Sequence, residues 1–335
     1  MYTALPPIFA GQPPDVAAEA QAFLSHATFE AGDVIMLEGE DDHSLAFVLT
    51  GTVELNANGV ILGHAGAREI VGETELFALC PRLATVTATT ACELLVLDDH
   101  GYQELLASGN PVVYALERQV IRRLGERIRA VNGAVAENSQ GQEKVVTSTQ
   151  KSMMERLFSP FQRPPPDANV EALPVLRSSE MFGWAPEDAL REIAGLFQAA
   201  SFQPHDPICR QGESGEKMFI IETGQVDVIL DIKGARIEKV AQLGPGQAFG
   251  DSSIALGTPR AASCIARTAV TAIVMERAKF LEFYGLDAPI GSIFRQAIVR
   301  NLIVQLMSST DKLLQLHAGR EMASTSDLGR SIWRD

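Results

Sequence analysis

Positive charge is scarce in this sequence. Over 335 residues, 28 Lys and Arg stand against 42 Asp and Glu, a formal net charge of −14. That balance opposes broad binding to nucleic acid or to an anionic membrane surface. The shortage is sharpest at the start, since residues 1–30 contain no Lys or Arg. The opening Met1-Tyr2-Thr3-Ala4-Leu5-Pro6-Pro7 has neither the basic start nor the apolar run of a secretory leader. No apolar run reaches the roughly 18 residues of a membrane-spanning helix, so a cytoplasmic location is expected. The four cysteines (Cys80, Cys92, Cys209, Cys264) form no CxxC pair and no ligand spacing with histidine, which favours buried free thiols in a reducing compartment. The six histidines are scattered, with none at the spacing of a metal-binding helix. Glu73 and Glu75 could suggest an acid–base pair, but no nucleophile or electrophile accompanies them. No catalytic residue, metal or cofactor is therefore expected, and no enzyme activity.

What is present is a long internal repeat, the feature to seek first in any chain. Phe29-Glu30-Ala31-Gly32-Asp33-Val34-Ile35, Glu38-Gly39-Glu40 and Ala46 to Val53 recur as Phe202 to Ile208, Gln211-Gly212-Glu213 and Met218 to Val226. Gly39 and Gly212 lie 173 residues apart, as do Gly51 and Gly224. Further on, Glu73 to Asp251 and Arg82 to Arg260 both differ by 178, so one hairpin and its loop are longer in the second copy. Apolar fraction (46%), 27 glycines and 17 prolines fit a globular chain large enough for more than one core.

Each copy reads as short strands broken by glycine turns. Ala46 to Leu55 and Met218 to Leu230 are rich in apolar and β-branched residues around a glycine, and Leu94–Leu97 and Thr271–Met275 read as last strands. Many short strands favour a small barrel or jelly roll. Helical segments precede the barrels at Asp15–Leu24 and Pro186–Phe197. A longer helix follows each. Val113, Leu116, Val120, Leu124, Ile128 and Val131 make one apolar stripe; Ile298, Leu302, Leu306, Ser309, Leu313 and Leu316 make the other. Such stripes fit packing on the parent barrel or pairing of helices between domains or chains, with the second slightly favoured. The expected fold class is α+β, mainly β: two barrels, each flanked by helices, with a long helix after each. The boundaries read as 1–135 and 175–317, with a Pro-containing linker at 136–174 and a tail at 318–335. Within the linker, Met153, Met154, Leu157, Phe158 and Phe161 suggest a short amphipathic helix.

The stretch Phe249-Gly250-Asp251-Ser252-Ser253 … Pro259-Arg260-Ala261-Ala262-Ser263 offers what a nucleotide phosphate needs. A glycine turn lets backbone N–H groups approach, a guanidinium neutralises the anion, and a carboxylate can accept ribose hydroxyl protons. The first copy answers with Val71-Gly72-Glu73-Thr74-Glu75 … Pro81-Arg82-Leu83-Ala84-Thr85, and carboxylate and arginine stand nine apart in both. These residues, with the upstream Gly-Glu and Gly-x-Val signals, resemble the cyclic nucleotide-binding domains of catabolite activator proteins and of cAMP-dependent protein kinase regulatory subunits. The resemblance covers about residues 5–135 and 175–317. It implies an eight-stranded jelly roll, the arginine on the cyclic phosphate and the carboxylate on the ribose 2′-hydroxyl. It also implies the ligand: cAMP is favoured over cGMP, because Leu83 and Ala261 stand where a hydroxyl often accompanies cGMP.

Departures from the family pattern rank the two copies. The position two after the carboxylate is small in the family; Ser253 suits it, whereas Glu75 would oppose an anion in a partly dry pocket. The first site (Gly72, Glu73, Thr74, Glu75, Arg82, Leu83, Ala84) is therefore expected to be weak or vacant, with Arg82 paired to Glu73 or Glu75. The second (Phe249 to Ser253 and Pro259 to Ser263) is the expected working site, although Asp251 is one methylene shorter than the family's Glu. The 18 residues after His317 are too few for a helix-turn-helix, and no Arg-Arg inhibitor segment precedes the first copy. The expectation is a non-enzymatic sensor acting on an effector protein, without direct nucleic-acid or membrane contact, as a homodimer or an intramolecular pseudo-dimer. The alternative is an assembly scaffold whose degenerate sites bind no nucleotide.

Overall fold

The computed structural model describes residues 5–78, 80–138, 170–232 and 236–318. The expected amphipathic helix at Met153–Phe161 and the tail after Ala318 lie outside them. In chain order the first copy comprises α1 (Pro14–Gln21), β1 (Ser25–Phe29), β2 (Val34–Met36), β3 (Ser44–Thr50), β4 (Thr52–Ala57), β5 (Val60–Gly66), β6 (Ile70–Val71), α2 (Glu73–Ala78), β7 (Thr85–Ala88), β8 (Cys92–Asp98), α3 (Asp99–Ala107) and α4 (Pro111–Asn138). The second comprises α5 (Ala172–Ser178), α6 (Glu187–Ala194), β9 (Gln198–Phe202), β10 (Pro207–Cys209), β11 (Lys217–Thr223), β12 (Val226–Ile232), β13 (Arg236–Leu243), β14 (Ala248–Phe249), α7 (Asp251–Leu256), β15 (Ser263–Ala266), β16 (Val270–Glu276), α8 (Arg277–Gly285) and α9 (Pro289–Ala318).

Sheet topology repeats with the sequence. The first barrel has sheets β1-β8-β3-β6 and β2-β7-β4-β5; the second has β9-β16-β11-β14 and β10-β15-β12-β13. Every pairing is antiparallel, and each copy has the eight strands, in a mainly β architecture, that the family resemblance implies. The expected strand Ala46–Leu55 divides at Gly51 and its echo divides at Gly224, so each becomes two strands of different sheets.

The cores correspond rung by rung. Ala46, Val48, Val53, Val71, Val86 and Leu94 in the first barrel match Phe219, Ile221, Val226, Phe249, Cys264 and Ala272 in the second. Where the second core places Phe249 stacked on Phe219, 5.0 Å between ring centroids, the first has Val71 beside Ala46. Burying these side chains contributes roughly 25 cal/mol per Å2 of apolar surface removed from water. That burial holds the turns described below in place.

The chain forms two compact units, and each takes half of each long helix. Unit 1 is the chain to Arg123 with Asp287–Ile303; unit 2 is Leu124–Leu286 with the chain from Val304. The long-helix stripes thus do more than pack on the parent barrel. In unit 1 the first half of α9 lies against α4 through a buried polar cluster centred on Glu117. Arg295 donates its Nε–H to Glu117 Oε2 at 2.8 Å, both side chains being fully buried. Tyr102 (3.1 Å), Gln296 (3.3 Å) and Ser292 donate to Glu117 Oε1, and the Arg295 guanidinium sits 5.1 Å from the Tyr114 ring centroid. Burial raises the Glu117 carboxyl, and Arg295 together with the donors pulls it back down. Hydrogen-bonded clusters of this kind specify pairing and register more than they add stability.

Candidate functional site

In both copies a two-residue strand leads into a glycine, a six-residue helix and a buried arginine. Gly250 has φ of +87° and Gly72 of +79°. At either, a Cβ would lie 2.6 Å from the arginine Nη1 and within 2.8 Å of a strand carbonyl, that of Lys217 or Ser44. A left-handed backbone without a side chain is needed in both, which is why glycine stands there twice.

In unit 2, Arg260 Nη1 donates to the Gly250 carbonyl at 2.6 Å and to Ser253 Oγ at 2.8 Å. Its Nη2 donates to the Lys217 carbonyl at 2.5 Å. All three acceptors are neutral. Among the described residues no carboxylate lies within ion-pair distance of Arg260, and its Nε is buried without a hydrogen-bond partner. Arg260 is 6% exposed. A cation this deep without a counter-ion is costly, and an entering anion would remove that cost. Asp251, on the first residue of α7, is fully buried, and Gln305 of α9 donates to its Oδ1 at 3.3 Å. The second half of α4 touches the far end of the same helix. A Cβ at Gly125 would meet Leu256 Cδ1 at 2.2 Å, and Arg129 donates to Thr258 Oγ1.

In unit 1 the same frame carries the opposite charge. Arg82 Nη1 donates to the Ser44 carbonyl at 2.7 Å and to Glu75 Oε2 at 3.2 Å; Nη2 donates to Ser44 Oγ at 2.8 Å and to Asp42 Oδ2 at 2.5 Å. The other oxygen of Glu75 accepts the Leu83 backbone N–H at 2.9 Å. One carboxylate thus binds both the guanidinium and the N–H of the following residue. Burial raises the Glu75 carboxyl above its ordinary value, while Leu83 N–H and Arg82 lower it and Glu73 raises it further.

The remaining residues expected at the sites fall into place around these. Phe249 faces the barrel core. Ser263 Oγ accepts the Gln211 N–H at 2.9 Å, as Thr85 Oγ1 accepts that of Glu38 at 3.1 Å, so both hydroxyls fasten loops. Thr74 is buried, Ser252, Leu83, Ala84, Ala261 and Ala262 are half-buried, and Pro259 is exposed at the turn. Arg82 pairs with Glu75, one of the two partners expected. Asp42 escaped the sequence reading. It stands 173 residues before Gly215, whose absent side chain leaves room for Ser253: a Cβ there would lie 2.5 Å from Ser253 Oγ. Gln305 escaped as well, since nothing local in α9 marks it. No group of three or more metal-ligating side chains occurs among the described residues. No helix among them is long and apolar enough to cross a membrane.

The cyclic nucleotide-binding domain model matches residues 26–108 and 199–286, the two barrels. The chain belongs to the cyclic nucleotide-binding domain family, with two such domains in tandem. Among its relatives is the cAMP-dependent protein kinase type II regulatory subunit of Drosophila melanogaster, 26% identical over 253 residues, covering 76% of this chain and 52% of that protein. A cGMP-dependent protein kinase of the same fly is 26% identical over 256 residues, covering 75% of this chain and 18% of the kinase. The chain thus spans about half or less of the length of these curated relatives. Among solved structures, the regulatory domain of Toxoplasma gondii protein kinase A, determined with cAMP, is 19% identical with a TM-score of 0.33, covering 83% of this chain and 87% of that one.

Proposed function

We propose that this protein is a cyclic nucleotide sensor in which the second domain binds the ligand and the first does not. The observation that carries the reading is the contrast at the two arginines. Arg260 is buried among neutral acceptors, whereas Arg82 already holds the carboxylates of Glu75 and Asp42. An anionic phosphate entering the first turn meets two negative charges; at the second it meets an unneutralised guanidinium. Cyclic AMP is the favoured ligand, on the absence of a hydroxyl residue after either arginine. Asp251 would take the ribose hydroxyl.

The output is a rearranged helix offered to an effector protein. Gln305 donates to Asp251 Oδ1, so a ribose hydroxyl would compete with α9 for one carboxylate. Binding shifts the helix only through such differential contacts. The effector is of the kinase type that the relatives suggest. Isothermal titration of the full chain with cAMP is the test. One site per chain, lost in Arg260→Ala, is expected; two equal sites or none overturns the reading.

A further inference from the structure

The second barrel contains a pair of thiols with no part in the nucleotide site. Strand β10 ends at Cys209, whose register partner on β15 is Cys264. Both side chains belong to the barrel core and both are reduced. They therefore share one face of the sheet, opposed on neighbouring antiparallel strands. At such positions Cβ atoms stand about 4.5–5.5 Å apart, and a disulfide needs roughly 3.5–4.5 Å. Only a small approach of the strands separates the two states.

Three further observations single out the pair. The neighbouring Cys264 thiol holds Cys209 below the ordinary thiol value, with help from the Arg260 charge, while Cys209 and burial raise Cys264. Strand β10 is three residues long and lies at the edge of its sheet, where local opening costs least. A small oxidant thereby reaches side chains that are only 8% and 6% exposed. The first barrel has Met36 opposite Val86 at the same rung, so the fold does not require a thiol at either position.

We propose that Cys209 and Cys264 form a dithiol–disulfide site, oxidised by a hydroperoxide such as hydrogen peroxide to a cross-strand bond that staples the segment carrying Arg260. The Cys209 thiolate attacks one peroxide oxygen, the O–O bond breaks, and the departing hydroxide takes a proton to become water. The Cys264 sulfur then attacks the sulfenic sulfur of Cys209, the S–O bond breaks, and a second water leaves. Two thiols and one hydrogen peroxide give one disulfide and two waters, two electrons passing from sulfur to peroxide. Three hydrogen bonds already lace the same segments: Gly212 N–H to the Arg260 carbonyl (2.9 Å), Arg260 N–H to the Glu213 carbonyl (2.8 Å) and Gln211 N–H to Ser263 Oγ. The disulfide adds a covalent rung beside them.

The test treats the full chain with hydrogen peroxide, blocks remaining thiols by alkylation and maps peptides without reduction. Wild type and the Cys80→Ser/Cys92→Ser double variant are expected to yield a linked Cys209–Cys264 peptide. Their melting temperature should rise by roughly 5 °C or more and return on adding dithiothreitol. Cys209→Ser should show neither effect; Cys264→Val, which installs the first barrel's residue at that rung, guards against a folding defect. Cys209 and Cys264 staying alkylatable while Cys80 or Cys92 oxidises overturns the proposal. So does sulfinic acid at Cys209 without a cross-link, or a cross-link that leaves the melting temperature unchanged. No nucleotide enters the experiment, so its outcome is separable from the fate of the nucleotide-site assignment.

Discussion

At Gly72–Arg82 and at Gly250–Arg260 the chain makes the same turn, with the same left-handed glycine, the same short helix and an arginine bonded to the same strand carbonyl. Two positions set the surroundings of the arginines apart in charge. Glu75 and Asp42 in the first copy stand where the second has Ser253 and Gly215. The first arginine therefore has its counter-ions supplied by the protein, and the second has none among the described residues. The duplicated fold keeps the same turn in both halves and, in one of them, supplies carboxylates to its arginine.

The largest test of this contrast is removal of each arginine in turn. Arg260→Ala should weaken cAMP binding by about 100-fold or more, the scale expected when one partner of a buried charged contact is truncated. Arg82→Ala should leave the cAMP titration of the full chain unchanged while lowering thermal stability, because Glu75 is then buried without its partner. Calorimetry and melting curves on both variants check this, and equal losses of affinity would break the asymmetry.

Exchanging the distinguishing residues comes next. Asp42→Gly/Glu75→Ser should raise the calorimetric stoichiometry from one cAMP per chain to two. Ser253→Glu should weaken the second site by at least about tenfold, through burial of a competing carboxylate. A stoichiometry that stays at one in the first variant would mean that other residues close the first site.

Smaller effects sharpen the picture. Gln305→Ala should tighten cAMP binding by roughly threefold, the worth of one competing neutral hydrogen bond, and Asp251→Glu should preserve or improve affinity. Both are read from equilibrium titrations; a weaker Gln305→Ala complex would show that this amide assists the ligand.

The smallest effect concerns pH. The Glu75 carboxyl is raised in the folded state, mainly by burial. Its contribution to stability is complete below the ordinary carboxylate value and falls as pH rises through the folded value. The melting temperature of wild type minus that of Glu75→Gln should therefore decline as pH increases from about 4.5. A difference that grows over that interval would contradict the burial-dominated environment.

Much of this was visible in the sequence because it is local or periodic. The constant offset between Gly39 and Gly212, and between Arg82 and Arg260, aligned the barrels, and glycine, carboxylate and arginine fell in the right order within each turn. The opposition of Glu75 to an anion could be argued from side-chain size and charge alone. Asp42 could not be singled out so readily, since it reaches Arg82 across 40 residues of chain and only the fold brings them together. The stripes of α4 and α9 mark both as helical. Their division between two compact units, and the Glu117–Arg295 pairing inside one of them, depend on tertiary contacts that periodicity does not encode. Gln305 is an unremarkable polar residue until α9 is placed beside Asp251.

The Arg260 guanidinium, without a carboxylate partner among the described residues, also has a consequence for the lifetime of the protein. A chain whose buried cation lacks a counter-ion gains stability from any ligand that supplies one, by mass action. The empty form is then the one that opens more often and meets proteases first. Under the proposed function, bound nucleotide would regulate the abundance of the protein as well as its shape.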